Sequence, residues 1–254
     1  MTSEDRADNL NDEGDVTLRY NDGSYLGAHP NWHSEDSTWK ADEFSVMLSP
    51  DLILAWKKLP FVRVVEYGCG AGGVLNAVVQ RLRMTGLEVE GLGVDISGAA
   101  ISLARSQYQA LMFSCTDFVN VKEHADLALA IDVIEHLPKP EALLAHLRSK
   151  STHQLFHIPL DENLYDRLKV GSRYYEWLRA DRGHLHYFTR PSALNLLSEN
   201  GLRIVGWRYT FWGQQPGRSC AFVRHVRTSG YKTFPTIAVR LFGGASLAVL
   251  TMSS

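Results

Sequence analysis

The sequence predicts an α/β fold built on an open, doubly wound sheet, and three observations carry that prediction. From residue 62 onward, apolar runs of the kind found in buried parallel strands alternate with helical patterns. Residues 64–73 read Val-Val-Glu-Tyr-Gly-Cys-Gly-Ala-Gly-Gly, a β-branched run that passes through a glycine turn into a helix. Acidic residues stand at the ends of successive strands, the edge where such a sheet collects its ligand.

The elements follow in order. Strands are expected at 62–67, 89–95, 111–116, 126–132 and 154–158, each short, apolar and bounded by turn residues. Between them lie helices at 73–85, closed by Gly86, at 98–109 and at 140–149. Ser97 suits an N-cap and Pro140 a first helical turn. Pro191 opens a further helix that Gly201 ends, and strands at 203–211 and 246–252 close the sheet. Upstream, a helix is expected from Ser37 to Leu48, then a short one from Pro50 through Trp56. Residues 1–15 are acidic and nearly devoid of apolar side chains, so they read as a disordered tail. Residues 16–60 read as an N-terminal cap with helices. Residues 61–254 read as the main domain, with lid insertions near 161–188 and 212–244.

Bulk properties narrow the function. The 254 residues are 45% hydrophobic, enough for one substantial core. A net charge of −2 supplies no basic field of the sort that duplex nucleic acid favours. Cys69, Cys115 and Cys220 are too far apart in sequence for a disulfide framework or a zinc spacing, which suits a reducing cytoplasm. The polar N-terminus lacks the apolar stretch of a signal peptide. Ile237 to Met252 is broken by Arg240 and Gly243-Gly244, and reads as a loop and a buried strand rather than a membrane span.

Four strand-end sites carry the chemistry. Glu66 precedes the glycine turn. Asp95, in Gly-Val-Asp-Ile-Ser, lies one strand later, where a carboxylate accepts hydrogen bonds from ribose hydroxyls. Asp117 ends the third strand, where an acid can accept an adenine amine. Asp132 opens the Asp-Val-Ile-Glu-His-Leu run after the fourth. An isolated acid at a strand end is most simply solvated; four in succession are harder to dismiss. Gly68, Gly70 and Gly73 also satisfy a dinucleotide fingerprint, so an NAD(P)-dependent oxidoreductase is the competing reading. That fingerprint gives Glu66, Asp117 and the Asp132–His136 run no task.

Val-Glu-Tyr-Gly-Cys-Gly-Ala-Gly-Gly, Gly-Val-Asp-Ile-Ser, Cys-Thr-Asp-Phe and Asp-Val-Ile-Glu-His-Leu resemble the successive motifs of class I S-adenosylmethionine-dependent methyltransferases. The likeness is to the branch acting on quinones and other small molecules, and Gly-His-Leu-His-Tyr-Phe-Thr at 183–189 is similar to a segment common there. The resemblance implies a seven-stranded, mostly parallel sheet ordered 3-2-1-4-5-7-6, with strand 7 antiparallel. It implies that Glu66, Gly68 and Gly70 contact the methionine moiety and shape the loop, with Tyr67, Cys69 and Ile96 beside them. Asp95 would hold the ribose, Asp117 and Phe118 would flank the adenine, and Asp132 would line the methionine end. Acids and aromatic faces suit a sulfonium cation better than the cationic groups that pyrophosphate favours.

Methyl transfer asks chiefly for proximity, alignment and desolvation, and for a base only where the acceptor must lose a proton. His184 and His186 are the first candidates for that base and His136 the next, while His157 reads as a packing residue. Aromatic and cationic residues between 163 and 182 suggest a lid over a planar or anionic acceptor. The segment from Asn31 to Lys40, with Trp32 and Trp39, suggests a cover for cofactor and substrate. The cations from Arg218 to Lys232 read as a solvated loop. Although Glu135, His136 and Asp161 could approach one another, no ligand spacing demands a metal, so a metal-independent enzyme is expected. The expected partner is a small-molecule acceptor, with no nucleic acid and no membrane, and a homodimer is the candidate assembly. A fold that binds the cofactor without turnover is the remaining alternative.

Overall fold

The computed structural model describes residues 36–170, 172–211 and 229–253. The expectations for the N-terminal tail, for Trp32, for Cys220 and for the cations from Arg218 to Arg227 lie outside these residues.

The strands are β1 (Val62–Tyr67), β2 (Val89–Asp95), β3 (Met112–Cys115), β4 (Ala125–Ile131), β5 (Ser151–Pro159), β6 (Leu202–Thr210) and β7 (Ser246–Ser253). They form one sheet in the order β3-β2-β1-β4-β5-β7-β6. Pairs from β3 to β5 are parallel, and β7 runs antiparallel to both β5 and β6. Helices are α1 (Ser37–Ser45), α2 (Pro50–Trp56), α3 (Gly73–Met84), α4 (Gly98–Gln107), α5 (Pro140–Lys150), α6 (Leu164–Val170), α7 (Ser172–Arg182), α8 (Arg190–Glu199) and α9 (Pro235–Phe242).

Period-two alternation sorts the strand side chains between two cores. In β4, Leu127, Leu129 and Ile131 face the layer made by α1, α2, α3 and α4, while Ala128 and Ala130 face that of α5, α8 and α9. Strand β1 divides in the same way, with Val62 and Val64 on the first side and Val65 and Tyr67 on the second. Both faces are covered, so the strands read as continuous apolar runs rather than as alternations.

Ser97 caps α4 by accepting from the Ala100 amide at 3.4 Å, and Pro140 occupies the first turn of α5. One expectation needs correction. The stretch before β7 is not all loop: Pro235 opens α9, because Val239 finds a seat in the second core and Ala238 is buried as well. Apolar residues at helical spacing and a strand lead-in look alike in a short window, and tertiary burial decided between them.

Candidate functional site

The chain reverses direction across the β1–β4 boundary, where β1 is followed outward to β2 and β4 leads the other way. A cavity of about 270 Å³ opens at the carboxyl ends of these strands. Its floor is the glycine turn. Gly68 has φ +71°, and a Cβ there would stand 2.6 Å from Cγ2 of Val133. Gly72, the N-cap of α3, has φ +80°, and its Cβ would meet the Phe113 ring at 2.6 Å. No other residue type allows both the turn and the approach.

The turn is tied down by two carboxylates. Glu66 is buried, and its Oε2 accepts from the Leu75 amide at 2.9 Å in the first turn of α3. Burial pushes its carboxyl up to about 8; the negative charges of Asp95 and Asp132 add to this, while Lys40 opposes it. Asp95 accepts from the Gly70 amide at 2.8 Å with one oxygen and from the Ser97 amide at 2.8 Å with the other. Burial raises its carboxyl too, against the pull of these amides. Each oxygen keeps a further lone pair for a ligand hydroxyl.

Asp132 anchors the wall opposite. It leaves β4 at φ 54°, a left-handed conformation that costs a non-glycine residue of order 1–3 kcal/mol. Its surroundings over-determine that conformation. The Asp132 amide donates to the His157 carbonyl at 2.9 Å, the His157 Nδ1–H donates to Oδ1 at 2.6 Å, and Lys40 Nζ donates to Oδ2 at 2.8 Å. Burial works against ionisation here, but the Lys40 and His157 charges overcome it and hold the Asp132 carboxyl well below its usual range. Lys40 also pairs with Asp36 at 3.0 Å. Burial alone would lower its ammonium; Asp132 and Asp36 instead keep it charged. His157 Nε2 lies 2.8 Å from the Thr210 hydroxyl, so α1, β4, β5 and β6 meet in one polar chain.

Of the residues singled out in the sequence, Glu66, Tyr67, Gly68, Cys69, Gly70, Asp95, Ile96, Phe118, Asp132 and His136 all line this cavity. Thr116 and Phe118 line it on either side of Asp117, whose own carboxylate accepts from the Val119 amide at 3.1 Å. His184 and His186 stand behind the wall rather than on it. The His184 Nδ1–H donates to Asp161 at 2.6 Å, and the His186 Nε2–H donates to the Leu137 carbonyl at 2.9 Å. His136 does face the cavity; its Nδ1–H donates to the Gly183 carbonyl at 3.1 Å, and burial together with His184 lowers its imidazole to about 4. The expected lid resolves into α6 and α7, and none of their described residues lines the cavity.

Sequence reasoning missed Lys40, Asp36 and the role of His157. Asp36 and Lys40 are four apart, a spacing that places two side chains on one helical face. Their partner Asp132 is 92 residues away from Lys40, which no local pattern shows.

A sheet in this order with one antiparallel strand, and an acid-lined, glycine-floored cavity at its reversal point, define a class I S-adenosylmethionine-dependent methyltransferase. The chain belongs to the methyltransferase-domain family, whose model matches residues 42–206. Trans-aconitate 2-methyltransferase of Shigella dysenteriae is 28% identical over 174 residues, covering 66% of this chain and 67% of that protein. Among solved structures, the plantazolicin methyltransferase BpumL, in complex with a monoazolic desmethylPZN analog and SAH, superposes with a TM-score of 0.59 at 17% identity, covering 99% of this chain and 98% of its own. Magnesium protoporphyrin IX methyltransferase from Synechocystis PCC 6803 with bound SAH gives 0.55 at 16% identity, covering 85% and 83%. These two likenesses concern the fold. No helix among the described residues is long and apolar enough to cross a membrane.

Proposed function

We propose that this methyltransferase acts on an oxygen or nitrogen atom of a small-molecule acceptor, with the cofactor seated in the cavity between β1, β2 and β4. The observation that carries the reading is the charge pattern of the wall. Among the described lining residues, the carboxylates of Asp36, Asp95 and Asp132, with the protonated Glu66 beside them, face one ammonium, Lys40, which is already paired with Asp36 and Asp132. Such a wall suits a ligand with a sulfonium and an α-ammonium, and repels the pyrophosphate of a dinucleotide. When bound, S-adenosylmethionine supplies a methyl group activated by its positive sulfur.

In this reading the side-chain-free turn at Gly68 and Gly70, whose amides are held by Val94 and Asp95, lets the methionine moiety approach beside Glu66, Tyr67 and Cys69. Asp95 and Ile96 receive the ribose, and Phe118, with Thr116 and Asp117 around it, borders the adenine. Asp132 orients the cofactor's methionine end, and its clamp by Lys40 and His157 prevents the carboxylate from swinging away. Val133, Leu137, Pro138 and Leu143 exclude water from the remaining space. The trans-aconitate enzymes, by name, act on a polycarboxylate. The wall here offers such an acceptor no described cation beyond the engaged Lys40, which supports an acceptor of low negative charge. A single chain in a reducing cytoplasm, or a homodimer there, is the setting this reading adopts.

Titration calorimetry tests it. S-adenosylhomocysteine should bind and NADH should not. Asp95→Asn should weaken S-adenosylhomocysteine about 10- to 100-fold, the cost of about 1.5–3 kcal/mol for a charge-assisted ribose hydrogen bond. Binding of NADH instead, or an Asp95→Asn affinity equal to the parent's, overturns the assignment.

A further inference from the structure

Behind the cavity wall lies a second constellation that the cofactor reading does not use. We propose that Glu135, His136 and His184 bind a divalent first-row transition-metal ion at the edge of the acceptor space. One ligand atom from each of the three lies within 4.8 Å of the others, and His136 Nε2 stands 3.8 Å from Glu135 Oε1. Tetrahedral metal bonds of about 2.0–2.2 Å hold ligand atoms about 3.4 Å apart, so side-chain rotation must close the widest pair by up to about 1.4 Å.

A separate observation calls for a cation. Glu135 is fully buried, and neither of its carboxylate oxygens accepts a hydrogen bond from any other described residue. Buried polar atoms without partners are rare, and a bound ion satisfies both oxygens at once. The two imidazoles are already oriented for such a role. His136 commits its Nδ1–H to the Gly183 carbonyl at 3.1 Å, and His184 commits its own to Asp161 at 2.6 Å. Outer partners on Nδ1 fix the tautomer that presents a lone pair at Nε2, as in carboxylate–histidine–metal arrangements. Two imidazoles and one carboxylate select a zinc-, iron- or cobalt-type ion over magnesium or calcium, which prefer all-oxygen shells.

Nothing in the spacing announces this set. Glu135 and His136 are adjacent, but His184 arrives from beyond α7, and a metal here runs counter to the expectation of a metal-independent enzyme. Because His136 belongs both to the cluster and to the cavity wall, an ion held there borders the acceptor. It would draw an oxygen-bearing acceptor and lower the pKa of its hydroxyl, releasing the proton to solvent. That consequence rests on the methyltransferase reading; the metal site itself does not.

The test is a Co²⁺ titration of the full chain after removal of metals by a chelator, followed by visible d–d absorption. S-adenosylhomocysteine affinity is measured separately on the same samples. One equivalent of Co²⁺ should bind with the absorption of a nitrogen- and oxygen-ligated ion. Glu135→Gln and His184→Ala should lose at least 100-fold in Co²⁺ affinity, and the conservative outer-partner change Asp161→Asn about 10- to 100-fold. His124→Ala, an exposed histidine outside the cluster, should bind Co²⁺ as the parent does. Absence of saturable binding below millimolar Co²⁺, or equal affinity in Asp161→Asn and the parent, overturns the site. If S-adenosylhomocysteine still binds in that case, the cofactor reading survives; if Co²⁺ binds and the nucleoside does not, the reverse holds.

Discussion

Lys40 is the residue whose surroundings depend most on it. Its ammonium lies between Asp36 at 3.0 Å and Asp132 at 2.8 Å, and its side chain is 8% exposed. A buried ion pair adds little against an apolar substitute of equal size, yet removing one partner leaves the other charge stranded. Lys40→Met therefore takes the ammonium from two carboxylates at once: buried Asp36, and Asp132, which keeps His157. We expect a loss of about 3 kcal/mol, read as a fall of about 6–12 °C in Tm for a chain of this size. S-adenosylhomocysteine affinity should fall with it, because Asp132 loses the contact that holds its Oδ2. A stability unchanged by Lys40→Met would mean that the ammonium is solvated and the clamp unimportant. Asp132 itself was legible as a strand-end acid, but its φ of 54° was not, since left-handed backbone at an aspartate leaves no mark in a single sequence.

Helix α1 makes the N-terminal segment part of the site. Ala41 and Phe44 bury its inner face, with the Phe44 ring 5.7 Å from that of His157. Its flanks are pinned by Asp42 to Arg81 of α3 at 2.6 Å and by Glu43 to Arg208 of β6 at 3.0 Å. These partly exposed pairs add little energy, and the apolar seat decides whether the helix docks. Phe44→Ala should cost about 3–5 kcal/mol through the cavity it leaves. It should also weaken S-adenosylhomocysteine binding, because Asp36, Ser37 and Lys40 form one side of the pocket. Retained nucleoside affinity in a destabilised Phe44→Ala variant would show that α1 can leave without opening the site. The sequence placed the start of this helix at Ser37 and ran it to Leu48, three residues past its end at Ser45, and the tryptophans nearby suggested a cover. Which cavity it covers depended on residues 90 and more positions away.

Across the whole molecule, the buried acids make stability a function of pH. Glu66 titrates at about 8 when folded, against an ordinary 4.5. Between those values the folded chain holds a proton that the unfolded chain has released, so this contribution is full below pH 4.5 and is lost as pH rises through about 8. Glu135, raised in the same direction by burial and by Asp132, adds to the decline. His136, lowered to about 4, opposes it below its ordinary 6.5. Asp132 is depressed, so its contribution is present above 3.8 and is lost only in more acid solution, outside the Glu66 window. Glu66→Gln should therefore flatten the parent's fall in Tm between pH 5 and 8, the difference amounting to a few kcal/mol at pH 8. Parallel Tm profiles for parent and variant would place the Glu66 titration elsewhere. Binding of a cationic ligand should release a proton from Glu66 at neutral pH, visible as a dependence of binding enthalpy on the buffer's own ionisation heat.

Sequence alone determined the alternation of strands and helices, the glycine turn, and the strand-end acids, because each is written in contiguous residues with local consequences. Apolar periodicity names a strand, a positive-φ turn demands glycine, and a carboxylate just past a strand stands at the sheet's edge by construction. Tertiary structure alone decided which side chains share a charge. It joined Lys40 to Asp132 across 92 residues, turned His184 and His186 away from the cavity, and set His184 beside Glu135 and His136. Electrostatic and coordination contacts act over a few ångströms in space, whatever their separation along the chain, and only the packed sheet brings those residues within that distance.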